Sequence, residues 1–301
     1  MAILVDENTK VLIQGITGKE GSRACHEMLR YGTSVLAGVS PGKGGGEVED
    51  VLVYNTVAEA VSKHPGINAS LVVVPALRVR NAVEEALEAG IPLINILSEY
   101  VSARDSSLCV ARARKIGARI IGPSSVGIIS PGKGKIGSIG SGGVGNVFTS
   151  GSIGIISKSG GMTAELSSVL SRAGWGQSTV VGMGGDIIVG SDYVDMLELF
   201  EKDEATKAVV IFGEIGGTYE EDAADYVRMG KFTKPTIALI GGRFTNTLGV
   251  GVVLGHAGAI VSRGKGSYDS KVEALRGAGV VIAGAIEEIP SLLSGIVKEK
   301  S

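Results

Sequence analysis

The sequence predicts an α/β fold made of two successive parallel sheets. Three observations lead there. Short apolar runs alternate with helical patterns about a dozen residues long, the mark of βαβ units. The alternation breaks once, at a glycine-rich stretch, and then restarts, which divides the 301 residues into two domains of ordinary size. Aromatic residues are only 4% of the chain and hydrophobic residues 44%, so Val, Ile, Leu and Ala must build the cores.

In the first part, KVLIQGI (10–16) reads as a buried strand and GSRACHEMLRYG (21–32) as a helix stopped by Gly32. Strand SVLAGVS (34–40), helix VAEAVSKH (57–64) and strand ASLVVVP (69–75) follow. Helix RNAVEEALEAG (80–90) ends at Gly90 before strand PLINILS (92–98), then come helix SLCVARARKIG (107–117) and strand ARIIGP (118–123). Residues 127–150 are glycine-rich with little periodicity, a composition suited to a connection between domains. The pattern resumes with strand SIGIISK (152–158), helix MTAELSSVLSRAG (162–174), strand STVVGMG (178–184) and helix SDYVDMLELFEKD (191–203). Strand KAVVIFGEI (207–215), helix YEEDAADYVRMG (219–230) and strand PTIALIGG (235–242) continue it. Helix SYDSKVEALRGAG (267–279), strand VVIAG (280–284) and a helix from Ile286 close it.

The totals exclude several classes. A net charge of −2 without any Lys/Arg-dense segment argues against a general nucleic-acid role. Cys25 and Cys109 lie in helical patterns without metal-ligand spacing, so buried thiols in a reducing compartment are expected and no metal site is. The N-terminus lacks a signal-peptide pattern, and no apolar run reaches the roughly 18 residues a membrane span needs. A cytoplasmic protein is expected.

Parallel sheets bind ligands at the carboxyl ends of their strands, so candidate sites are sought there. After the first strand, QGITGKEG places Gly15, Gly18 and Gly21 three apart in a strand-to-helix turn, around Thr17, Lys19 and Glu20. Such glycines let backbone N–H groups approach an anion at the positive end of a helix. The spacing is not the G-x-G-x-x-G of dinucleotide sites. The second strand ends in VSPGKGGG, with Lys43 where a nicotinamide site would carry an acid. A cation there suits a ribose bearing a phosphate, as in coenzyme A or NADP; an ordinary solvated lysine is the alternative. Pro75 in VVVPAL and Glu99 in ILSEY could wall an adenine or pantetheine groove, although Glu99 fits equally well as an exposed loop acid.

In the second part, SKSGGMT opens a helix, with Lys158 and the N–H groups of Ser159, Gly160 and Gly161 as an anion cradle or an ordinary capped start. Asp186, in a further glycine turn, reads as structural or catalytic. Glu214 ends an apolar strand among glycines, where an acid is costly without a partner. His256, one of three histidines, sits in LGHAGAIV between small residues. It is a packed turn histidine or a nucleophile that a large anion can reach, with Glu214 to fix its tautomer. A G-x-x-x-x-G-K-[ST] loop is absent, so the chain alone is expected not to hydrolyse ATP.

Taken together, LGHAGAIV with GKG behind it, GEIGGT, GGD, SKSGG, IGP and SPGKGG resemble the α subunits of succinyl-CoA synthetase and their relatives, in order and spacing, from residue 4 to 295. The resemblance implies a Rossmann-like coenzyme A-binding domain over 1–126 and a flavodoxin-like ligase domain over 151–301. It implies that His256 is phosphorylated from ATP or GTP held with Mg on a β subunit. The phosphoryl then passes to a di- or tricarboxylic acid, and coenzyme A takes the acyl group. Carried over, Gly15, Thr17, Gly18, Lys19, Glu20, Gly21 and Lys43 would bind coenzyme A, with Pro75 and Glu99 near its pantetheine arm. Ser159, Gly160 and Gly161 would hold the phosphate or acid, and Glu214 would orient His256. SGGMT stands where the succinate branch usually reads Ser-Gly-Thr-Leu-Thr, and SKSGGMTAELSSVLSR is similar to ATP-citrate lyase. Succinate is still the first expectation, on how common it is in the family and not on these residues, and a citryl-CoA synthetase small subunit is the second. An NADP-linked oxidoreductase and a non-catalytic coenzyme A-binding module remain as further readings.

Overall fold

The computed structural model describes residues 2–140, 143, 145–243 and 266–297. The first sheet comprises β1 (Lys10–Gln14), β2 (Ser34–Val39), β3 (Glu47–Val48), β4 (Val51–Tyr54), β5 (Ala69–Val72), β6 (Leu93–Ile96) and β7 (Arg119–Ile121). Its strands lie in the order β3-β4-β2-β1-β5-β6-β7, all parallel except the β3–β4 hairpin. Helices α1 (Lys19–Tyr31), α2 (Val57–Lys63), α3 (Ala76–Glu88) and α4 (Ala103–Ile116) cross between strands. Without the hairpin this is the doubly wound order, whose direction of winding reverses between β1 and β5. The turns that leave those two strands, at Gly15 and at Val73, therefore bound a crevice. The sequence pattern does not reveal β3 and β4: one has two residues, and the other alternates buried and exposed as an edge strand does.

The second sheet contains β8 (Gly127–Ser130), β9 (Gly134–Gly137), β10 (Ser150–Ser157), β11 (Gln177–Gly182), β12 (Ala208–Glu214), β13 (Thr236–Gly241) and β14 (Val281–Ile282). The order is β14-β13-β12-β10-β11-β8-β9. The five strands from β14 to β11 are parallel and have the flavodoxin-like arrangement, with the switch between β10 and β12. Helices α5 (Gly160–Arg172), α6 (Tyr193–Lys202), α7 (Tyr219–Arg228), α8 (Tyr268–Gly277) and α9 (Ile289–Ile296) accompany it.

Part of the stretch expected as a connection is sheet. Strand β8 runs antiparallel to β11, and β9 antiparallel to β8. Glycine is what makes this pairing close. Gly127 and Gly137 face each other with φ of 120° and 92°, and a Cβ on Gly127 would stand 2.0 Å from the Ile136 carbonyl oxygen. The same glycines lower strand propensity, which is why no strand pattern is visible there.

The two halves are joined by packing as well as by the chain. One buried cluster extends from Ile13 and Met28 through Ile128 and Ile136 to Val209 and Leu275. Ser125 ties the sheets together directly. Its hydroxyl donates to Gly182 O (2.5 Å) and also lies 3.1 Å from Asn95 Oδ1. No helix among the described residues is long and apolar enough to cross a membrane.

Candidate active site

At the first switch point the glycines are required by geometry. Gly15 has φ +88°, and a Cβ on it would lie 2.3 Å from Val73 O on the neighbouring strand. A Cβ on Gly21 would lie 2.2 Å from Gly15 O. The turn is thus packed backbone to backbone, and α1 starts flush against it. Gly18 is the N-cap of α1 and offers no side-chain cap. The first-turn N–H groups of a helix carry the positive end of its dipole, and here they open toward a cavity.

That cavity has a volume of about 660 Å³. It brings together six of the expected residues: Gly18, Lys19, Glu20 and Gly21 from the turn, Pro75 after β5 and Glu99 after β6. Arg23 adds a second cation at the helix end, paired with Glu20 at 2.7 Å. Val73, Val74, Ala76 and Leu97 give the opposite wall an apolar character. Gly15 and Pro75 also line a neighbouring cavity of about 700 Å³ with Val39, Pro41, Arg78 and Asn81, at the end of β2. Lys43 lines neither cavity. It is exposed on a loop whose Gly42 and Gly44 N–H groups donate to Asn55 Oδ1. Thr17 reaches that loop's base, donating from its hydroxyl to Ser40 Oγ at 2.9 Å.

The cavity's far wall is the chain segment that leads from β7 into the second sheet. Ser124, Ser125 and Val126 line it. Val126 also packs on Gly160, the first residue of α5, so closely that a Cβ on Gly160 would meet its Cγ1 at 2.3 Å. The two glycine turns are therefore neighbours, with Val126 between them. The Ser124 hydroxyl donates to Asp186 Oδ2 at 3.0 Å, which gives Asp186 a holding role beside this wall.

The start of α5 differs from that of α1. Ser159 caps it, accepting from Met162 N at 3.4 Å. The Ser157 hydroxyl and the Thr163 hydroxyl both donate to Ser159 O, each at 2.7 Å. Gly161 is exposed, and a Cβ there would meet nothing within 4 Å. Lys158 does not join the cradle expected of it. It is buried and lies 2.8 Å from Glu220 Oε1, with the Tyr193 and Tyr219 rings within 5.9 and 5.4 Å of its nitrogen. Its charge is spent inside the protein, for the physical reason that a buried ammonium needs a carboxylate more than a surface loop does.

Glu220 is the centre of this interior network and is not singled out by the sequence. It is fully buried in the first turn of α7 and bridges Lys158 and Lys271. Its Oε1 accepts the backbone N–H of Glu214 at 3.1 Å. Lys271, fully buried on α8, also reaches Glu221 Oε2 at 2.9 Å and Gly217 O at 3.0 Å. Burial alone would push the Glu220 carboxyl up; Lys158 and Lys271 outweigh it and hold the group below the usual carboxylate range. Burial, together with Glu220 and Glu214, pushes the Tyr193 hydroxyl well above its ordinary value, so it stays neutral and donates to Phe212 O at 2.7 Å. The only cue to Glu220 in the sequence is acidic residues clustered in YEED, which read equally well as a solvated first turn.

Glu214 ends β12, half-buried, as expected. His256 lies outside the described residues. The described chain on either side of 244–265 packs on the 214–217 turn and the start of α7. In the β12–β13 ladder Glu214 pairs with Gly241. A Cβ on Gly242 would meet Ile215 at 2.7 Å. On the other side, Gly216 N donates to Gly266 O at 2.7 Å, and Gly266 N donates to Glu221 Oε1 at 3.2 Å. Among the described residues no group of three or more His, Cys, Asp or Glu is arranged to hold a metal ion.

An uncapped helix start at the switch point of a doubly wound domain, followed by a second parallel α/β sheet, is an arrangement that a coenzyme A ligase would use. Comparison bears this out: residues 6–100 match the CoA-binding domain model and residues 156–281 the CoA-ligase model. The chain belongs to the family of succinate–CoA ligase alpha subunits. It is 45% identical over 297 residues to an alpha subunit of the ADP-forming succinate–CoA ligase of Archaeoglobus fulgidus, covering 99% of this chain and 100% of that one. It is 41% identical over 301 residues to a subunit of the ADP-forming sulfoacetate–CoA ligase of Acholeplasma sp, covering 99% and 100%. Among solved structures, ATP citrate lyase from Methanothrix soehngenii, in complex with citrate and coenzyme A, superposes with a TM-score of 0.89 at 28% identity. That match covers 99% of this chain and 52% of the lyase, so the chain spans about half the lyase's length.

Proposed function

We propose that the chain works with a β subunit as a nucleotide-dependent acid–CoA ligase, with His256 as the phosphoryl carrier and succinate as the acid. ATP or GTP, bound with Mg on the β subunit, is the phosphoryl source; the relatives named ADP-forming favour ATP. An imidazole nitrogen of His256 attacks the terminal phosphorus, and the nucleoside diphosphate leaves. A carboxylate oxygen of the acid then attacks the phosphorus, and the imidazole leaves. The thiol of coenzyme A attacks the acyl carbon, its proton is lost and inorganic phosphate departs. Each transfer replaces part of an uphill condensation with an easier step.

The observation that carries this reading is where the described residues flanking 244–265 lie. Gly241–Gly242 and Gly266 pack on the 214–217 turn, beside the carboxylate that this reading gives to His256 as its partner. Glu214 would accept from the second imidazole nitrogen and stabilise the charged ring. The start of α5, with Ser159, Gly160 and Gly161, is the electrostatic resting place for the phosphoryl group. Coenzyme A would place its phosphates at the uncapped start of α1, near Lys19. Its arm would run past Pro75 and Glu99 toward Val126, the residue that touches α5.

One observation favours citrate as a second reading. At Gly161, at the mouth of α5, a Cβ would meet none of the described residues within 4 Å, room that a bulkier tricarboxylate would use. The test is reconstitution with the β subunit and γ-labelled nucleotide, scored against succinate, citrate and malate. An acid-labile, base-stable label is expected on the chain, and His256→Ala is expected to lose it together with at least ~10³-fold of turnover. Normal turnover in that variant would refute the carrier role. Faster ligation of citrate than succinate would establish the second reading.

A further inference from the structure

We infer that Tyr100 is a binding residue for the pantetheine arm of coenzyme A, held in a strained backbone so that its ring stands over the cavity. This rests on the coenzyme A reading of that cavity. Five described residues other than glycine have positive φ: Leu4, Glu49, Asp50, Tyr100 and Ser124. Glu49 and Asp50 form the turn of the β3–β4 hairpin, where positive φ is what a two-residue turn demands. Tyr100 has no such reason. It lies in the loop between β6 and α4 with φ 59°, a region that a bulky side chain enters only against steric resistance. Burial does not compensate the free chain either, because Tyr100 is 84% exposed.

Its position supplies the compensation. Tyr100 lines the cavity next to Glu99 and faces a site whose other end is cationic, at Lys19 and the start of α1. Pro75 and Leu97 make the near wall apolar. A ligand with a charged nucleotide end and an amphipathic arm matches both ends. The tyrosine ring offers an apolar face to the methyl groups and methylenes of the arm, and its hydroxyl offers a hydrogen bond to an arm amide. Strain that ordinary packing does not repay, at the rim of a binding cavity, is what a preorganised ligand contact looks like.

The inference separates two properties that usually fall together. Glycine and asparagine tolerate positive φ, so Tyr100→Gly and Tyr100→Asn should melt at or above the wild-type temperature. The same variants should bind coenzyme A ~10-fold more weakly by calorimetry on the full chain, the size of one lost aromatic contact. Adenosine 3′,5′-bisphosphate has the nucleotide and lacks the arm, so its affinity should stay within about 2-fold in both variants, and Tyr100→Phe should keep most of the coenzyme A affinity. Unchanged coenzyme A affinity in Tyr100→Gly would overturn the inference. So would a parallel loss for coenzyme A and the bisphosphate, or a lower melting temperature in Tyr100→Gly, which would make Tyr100 a structural residue. A wild-type chain that binds neither compound would remove the cavity reading itself, and this inference with it.

Discussion

The two helix starts that meet across Val126 solve opposite problems. Helix α1 begins at Gly18 without any side-chain cap, on a turn packed so tightly that Gly15 and Gly21 cannot carry a Cβ. Helix α5 begins with Ser159 satisfying the helix from its own side chain, and with a buried Lys158–Glu220–Lys271 network beneath it. The first helix leaves its start uncapped beside the cavity, where the proposed coenzyme A would place its phosphates. The second is tied from below, where Ser159 caps α5 and Glu220, paired with Lys158, accepts the N–H of Glu214. Openness at one end and internal satisfaction at the other follow from the same backbone demand, that the first four N–H groups of a helix find partners.

The largest effect should come from removing the charge under α5. Glu220→Gln leaves Lys158 and Lys271 buried without the carboxylate that bridges them, and breaking a buried pair in this way costs about 3–5 kcal/mol. A urea titration should show a lower midpoint at an unchanged slope. The pH dependence has a definite sign. The Glu220 carboxyl is held below its ordinary value of 4.5, so its contribution to stability is complete above that value and is lost as pH falls through the lower, folded-state value. The wild type should lose this share of its stability below pH 4.5, and Glu220→Gln should not. If the variant is as stable as the wild type at neutral pH, the network is not what holds this end.

A smaller effect is expected at the other helix. Gly21→Ala would force a Cβ to within 2.2 Å of Gly15 O, a backbone atom that can yield only by moving the turn. Overpacking of this kind costs about 1–3 kcal/mol. The displacement also shifts the N–H groups that face the cavity, so coenzyme A affinity should fall at least ~10-fold by calorimetry. Unaltered affinity would mean that the ligand does not use this turn.

This contrast also explains what the sequence could and could not reveal. The open end was legible because its rule is local: three glycines at fixed spacing after an apolar run, a lysine beside them, and strand ends that carry Pro75 and Glu99. Alternation of apolar and helical stretches likewise showed most of both sheets. The satisfied end was not legible, because its rule is long-range. Lys158, Glu220 and Lys271 come from three separate elements, and nothing in SKSGG shows that its lysine turns inward. Strands β8 and β9 stayed hidden for a related reason. Their glycines serve a close pairing that exists only once the sheet has formed. Lys43 stands on a loop outside these two cavities, a placement that its position after the second strand does not reveal.

The smallest change tests the contrast most directly, by giving α1 the cap that α5 already has. Gly18 holds φ −77° and ψ 159°, an extended conformation that suits a capping serine without backbone strain. A Cβ there would meet Gly15 O at 3.3 Å, tight enough to need a shift of a few tenths of an ångström. Gly18→Ser should therefore change stability by less than about 1 kcal/mol, the gain of a cap over glycine being a few tenths and the close contact opposing it. Binding should respond more. The serine oxygen would take an N–H group that the phosphates otherwise receive, and the helix would no longer present its full positive end. Coenzyme A affinity should fall by ~3- to 10-fold, with the loss growing smaller at high salt as the wild type's electrostatic advantage is screened. An affinity that rises, or that falls equally at every salt concentration, would show that the uncapped end is only a way of fitting helix to strand, and that the phosphates bind elsewhere.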